Sequence, residues 1–97
     1  MENATGSLGN DHVTGGGVGN DLSGAAGTDT LIGANGGDAV YGNAGVDEVY
    51  GNQGEDLVFG GQGDDLVFGG QGDDLIYGNE GDDQIYGNAG TDTLIGG

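Results

Sequence analysis

The sequence predicts an all-β solenoid, and three observations predict it. A nine-residue period runs from Gly6 to the end, glycines hold fixed places within it, and each copy carries a short apolar stretch. The clearest copies lie end to end: GNAGVDEVY from Gly42, GNQGEDLVF from Gly51, GGQGDDLVF from Gly60, GGQGDDLIY from Gly69, GNEGDDQIY from Gly78 and GNAGTDTLI from Gly87. Two looser copies precede them, GAAGTDTLI from Gly24 and GANGGDAVY from Gly33. Further upstream, GSLGNDHVT from Gly6 and a shortened GGVGNDLS from Gly16 complete ten. In this reading the first and fourth places are always Gly and the sixth is always Asp. The 97 residues suffice for one domain. Residues 6–97 are expected to form it, with residues 1–5 as a poorly ordered leader.

Each copy divides into a six-residue loop and a three-residue strand. The second place is Asn or Gly in six successive copies (Asn43, Asn52, Gly61, Gly70, Asn79, Asn88), the residues that enter the left-handed region most easily. The eighth place carries Val40, Val49, Val58, Val67, Ile76, Ile85 and Leu94, mostly β-branched, as a buried pleated position favours. Side chains alternate along a strand, so the eighth residue points inward and the seventh and ninth point out. Three-residue strands between turns place successive copies on opposite walls. Two copies then make one turn of a flattened right-handed roll, and ten make about five coils. Gly6 and Gly24 are 18 residues apart, so the coil length survives an apparent one-residue slip at Gly15–Gly16.

Composition narrows the function. The chain has no Lys, no Arg and 17 acidic residues, for a formal charge of −17. Nucleic acid is excluded as a partner, since nothing can meet its phosphates. There is no Cys, so neither a disulfide framework nor a thiolate metal site is available. No apolar run approaches the roughly 18 residues of a membrane span. The start, MENATGSLG, lacks the basic and apolar regions of a secretory signal. The end, Gly96–Gly97, supplies the first two places of an eleventh copy, and the chain is expected to be a piece of something larger.

Ten acids fall at one repeat position: Asp11, Asp21, Asp29, Asp38, Asp47, Asp56, Asp65, Asp74, Asp83 and Asp92. These are the candidate metal ligands. A compact state of so acidic a chain needs outside cations, and one buried aliphatic per nine residues is too small a core to hold the roll alone. Calcium takes six to eight oxygens in irregular arrangements of carboxylate and carbonyl. A single loop offers one fixed carboxylate, so the ion must lie between loops stacked in neighbouring coils. Asp47 should therefore pair with Asp65 and Asp65 with Asp83, while Asp38, Asp56, Asp74 and Asp92 run along the other edge. Two stacks of five loops leave up to eight internal sites, whose ions would bring +16 against −17. Magnesium demands a stricter octahedron, and zinc finds no Cys and only His12.

The copies GGQGDDLVF and GGQGDDLIY resemble the repeats-in-toxin (RTX) nonapeptide, Gly-Gly-x-Gly-x-Asp-x-(large apolar)-x, an established signature of calcium-binding parallel β-helices. The resemblance covers about residues 6–97. It implies a parallel β-roll with calcium between turns, found in secreted and surface proteins of bacteria and exported by a type I machinery that reads a C-terminal signal.

Departures from the pattern cluster early. Ser7, Ala25 and Ala34 occupy the second place, and Ser23 sits where a buried aliphatic belongs. The segment before about Gly42 is expected to bind calcium more weakly and to order last. No catalysis is expected: the lone His12 faces outward, and the fifth-place acids Glu55, Asp64, Asp73 and Asp82 read as solvated neighbours of the ligands. At the ninth place Tyr50, Phe68 and Tyr86 should stack on one outer wall and Tyr41, Phe59 and Tyr77 on the other. Such flat walls and open strand ends also invite self-association.

Overall fold

The alternation of inward aliphatic and outward residues organises two facing walls of parallel strands. The computed structural model describes residues 2–96. In chain order the strands are β1 (Glu2–Thr5), β2 (His12–Thr14), β3 (Asn20–Ser23), β4 (Thr30–Asn35), β5 (Ala39–Ala44), β6 (Glu48–Gln53), β7 (Leu57–Gln62), β8 (Leu66–Gln71), β9 (Leu75–Glu80), β10 (Gln84–Ala89) and β11 (Thr93–Ile95). Odd strands form one sheet in the order β1-β3-β5-β7-β9-β11, and even strands the other, β10-β8-β6-β4-β2. Successive copies do lie on opposite walls, and neighbours within a wall are 18 residues apart, as in Val40↔Val58 and Val49↔Val67. The result is a β-roll of about five coils, a slab measuring 31 × 27 × 12 Å.

Its core is one aliphatic column per wall. Leu22, Leu31, Val40, Val49, Val58, Val67 and Ile76 are fully buried, with Ala4, Val13 and Ile85 packed against their ends. Leu94 holds the same repeat place on β11 but is 47% exposed, because no further strand stacks on it among the described residues. Outside, the expected ladders form: Tyr41, Phe59 and Tyr77 stack at 5.0 Å centroid spacing, and Tyr50, Phe68 and Tyr86 at 4.9 and 5.1 Å.

Three expectations are corrected. The regular strands have six residues rather than three, because the ladder continues through the first three places of the next copy, as in Gly61↔Asn79 and Gln62↔Glu80. Residues 2–5 are not a loose leader: they form β1, pairing Ala4 with Leu22 over the end of the core. Finally, the one-residue slip does not exist. Leu22 pairs with Val40, so the second copy is a full nine residues, GGGVGNDLS from Gly15. Its eighth place is the buried Leu22, and Ser23 takes the outward ninth place.

The loops explain what the second and fourth places require. Ala25, Ala34, Asn43, Asn52, Asn79 and Asn88 all have φ between 72° and 82° at the second place. Positive φ recurs at the fourth-place glycines from Gly27 to Gly90. Ser7 and Val18 do not adopt it, so the loops of residues 6–23 follow a different path.

Candidate metal centre

Each sixth-place aspartate lies between the fourth-place turn and the first residue of the next strand, where its carboxylate is packed against the neighbouring coil. Asp29, Asp38, Asp47, Asp56, Asp65 and Asp74 are 1–3% exposed. Such burial of charge is costly without a partner of opposite sign, and the chain has no Lys or Arg to supply one.

The two oxygens of each carboxylate have different surroundings. Oδ1 accepts the backbone N–H of the residue 18 positions earlier. On one edge Asp11, Asp29, Asp47 and Asp65 donate to Asp29, Asp47, Asp65 and Asp83 at 2.8–2.9 Å. On the other edge Asn20, Asp38, Asp56 and Asp74 donate to Asp38, Asp56, Asp74 and Asp92 over the same range. Oδ2 of Asp29, Asp38, Asp47, Asp56, Asp65, Asp74 and Asp83 is buried with no hydrogen-bond partner.

That unpartnered oxygen faces another oxygen. A Cβ built on Gly51 would lie 2.5 Å from Asp56 Oδ2 and 2.6 Å from the Gly69 carbonyl oxygen. At Gly60 the corresponding distances are 2.7 Å to Asp65 Oδ2 and 3.0 Å to the Gly78 carbonyl. First-place glycine thus keeps open a slot in which a carboxylate oxygen and a carbonyl from the next coil converge. Any side chain there would fill it. Open grooves reach both edges, one lined by Asp38, Asp56 and Asp74, the other by Asp29, Asp47 and Asp65.

The electrostatics follow from this crowding. Burial pushes the carboxyls of Asp56 and Asp65 up to about 6, with the N–H donated by Asp38 or Asp47 acting against it and neighbouring carboxylates adding to it. Asp38, Asp47 and Asp74 are raised for the same first reason. Without a cation, these groups meet neutral pH with their charge opposed on both counts.

The stacking anticipated from sequence is present: Asp47 with Asp65, Asp65 with Asp83, and Asp38, Asp56, Asp74, Asp92 in a column. Asp21 is a correction. It is an exposed seventh-place residue paired with Ala39, and the buried sixth place belongs to Asn20. Asp11 is half-buried, and its Oδ2 already accepts the Ser7 N–H at 2.5 Å. A second ladder escaped sequence reasoning. The exposed fifth-place acids Asp64 and Asp73 accept the N–H groups of Asp82 and Thr91, each at 2.8 Å. The 18-residue spacing was the available signal for it. Among the described residues, no three His, Cys, Asp or Glu side chains converge, so a cation here must draw on backbone carbonyls as well.

A family model described as the RTX calcium-binding nonapeptide repeat (four copies) matches residues 2–31, 16–49, 23–58, 32–67, 41–76 and 68–97. The chain belongs to this RTX family. No curated protein and no solved structure matches it. The RTX assignment implies calcium as the ion, and the donor set fits: hard oxygens only, one anionic oxygen per loop without a partner, and carbonyls beside it. Bound calcium would supply the positive charge that two stacked carboxylates lack. No helix among the described residues is long and apolar enough to cross a membrane.

Proposed function

We propose that this RTX roll is a calcium-triggered folding module, ordered outside the cell as part of a larger secreted or surface protein. The observation that carries the reading is the column of buried carboxylates on each edge, whose Oδ2 atoms have no partner in a chain without Lys or Arg. Such a column disfavours the folded state until cations enter. An ion that binds only the folded form then shifts the equilibrium by mass action. Extracellular calcium modules work at about 10⁻⁴–10⁻³ M, far above the level of a resting cytoplasm. Asp29, Asp38, Asp47, Asp56, Asp65, Asp74, Asp83 and Asp92 are the carboxylate ligands in this scheme. Far-UV circular dichroism tests it: sheet signal should rise with millimolar calcium and fall with excess chelator. A sheet signal indifferent to the chelator overturns it.

A second reading, assembly into a calcium-dependent filament or layer, draws support from the flat aromatic ladders on the two outer walls, Tyr41–Phe59–Tyr77 and Tyr50–Phe68–Tyr86. Electron microscopy with and without calcium separates the readings, since dispersed particles at high concentration count against assembly.

A further inference from the structure

The first coil, Gly6–Ser23, fills the slots beside its first-place glycines differently from every coil after it, although Asn20 Oδ1, on the far side of the amide, is buried without a partner. At Gly15 the slot beside the first-place glycine holds a nitrogen: a Cβ there would lie 2.5 Å from Asn20 Nδ2 and 2.5 Å from the Gly33 carbonyl oxygen. Nδ2 stands where Oδ2 stands in the aspartate copies. It donates to the Val18 carbonyl at 2.7 Å, with Asp38 Oδ1, the Gly16 carbonyl and the Gly33 carbonyl at 3.3, 3.4 and 3.5 Å. The positive end of an amide dipole therefore sits among four oxygens. The turn is consistent with this. Val18 occupies the fourth place, where later copies have a positive-φ glycine, and its carbonyl is directed at the amide. Asn20 is 1% exposed, so the arrangement is part of the interior.

The other loop of the same coil is closed as well. Ser7 donates its N–H to Asp11 Oδ2 at 2.5 Å, and its hydroxyl lies 3.3 Å from both carboxylate oxygens. Asp11 Oδ2 is accordingly partnered, unlike the Oδ2 atoms from Asp29 to Asp83.

We infer that Gly6–Ser23 is a calcium-independent cap, in which donors of the chain itself, above all the Asn20 amide, stand where later coils require a cation. The inference rests on the calcium reading above and adds to it a fixed starting surface. Contrary to the expectation from sequence that this segment orders last, the cap offers the β3 edge and the Asp38 Oδ1 bond to the next coil before any ion arrives. Calcium then fills slots from Asp29 onward rather than all of those between coils.

Substitution Asn20→Asp restores an aspartate to the sixth place, and calcium bound per chain, measured by equilibrium dialysis or native mass spectrometry, tests the idea. The expected result is one additional ion in the variant, with the wild-type chain binding several. Equal stoichiometry in the two chains overturns the cap while leaving the calcium reading intact. Absence of binding in both overturns that reading and the cap with it. Should the variant fail to fold, wild-type protein in calcium provides the second measurement. The Asn20 side-chain amide protons must exchange slowly there with solvent, and fast exchange overturns the inference.

Discussion

Substitution Ala34→Gly should stabilise the calcium-loaded roll, although it removes a methyl group and adds backbone freedom. Ala34 holds φ at 82°, in the left-handed region where an L residue with a Cβ is strained by about 1–2 kcal/mol. Glycine relieves that strain and costs about 0.5–1 kcal/mol in unfolded-state entropy. The net gain of about 0.75 kcal/mol at the midpoints corresponds to a rise in Tm of about 3–6 °C for a domain of this size. Calcium must be held at one saturating concentration, because ion binding alone moves the transition. Ala44→Gly is the matched control. It makes the same chemical change on β5, but Ala44 is outside the left-handed set and its N–H is bonded to the Ala25 carbonyl. The control should lower Tm. Thermal melts that move in the same direction for both variants would refute the argument that the second place of the repeat is selected by backbone conformation.

Position in the core sets a second expectation. Val58→Ala should destabilise the loaded roll by about 1.5–3 kcal/mol, since Val58 is fully buried, whereas Leu94→Ala at the same repeat place should cost less than half as much. Chemical denaturation at fixed calcium measures both, and equal losses would contradict the assigned end of the core. A third expectation concerns acid. Asp56 and Asp65 are raised to about 6 in the folded roll against 3.8 otherwise, so the folded form binds more protons than the unfolded between those values. Their contribution to the calcium-free roll is fully present below pH ~4 and is lost as pH rises through about 6. Calcium-free protein should therefore gain sheet signal between pH 7.5 and 5, while calcium binding should weaken over the same interval. Loss of residual sheet on acidification of the ion-free chain would contradict this.

The sequence made the periodic parts of the fold legible. The pairing of copies 18 residues apart, the inward eighth place, the aromatic ladders and the two columns of aspartate all follow from one repeat of nine. Strand length is hidden because glycine and asparagine at the first two places read as turn, whereas in the roll they continue the ladder with one residue at positive φ. The second copy was misaligned because it lacks the two residues that mark the register. Val18 replaces the fourth-place glycine and Asn20 the sixth-place aspartate, and the adjacent Gly19 and Asp21 mimic the pattern one residue out of register. Leu22 was the better guide, since burial of the eighth place is what the walls enforce. β1 was missed for a related reason: its core residue is only Ala4, too small to signal a repeat.

A crystal grown in calcium, mapped by the ion's anomalous scattering, reaches the central claim most directly. Peaks should lie between Asp47 and Asp65 on one edge and between Asp56 and Asp74 on the other, close to the Oδ2 atoms that lack partners. An ordered roll whose loops show no such peaks, in crystals saturated with calcium, would contradict the account.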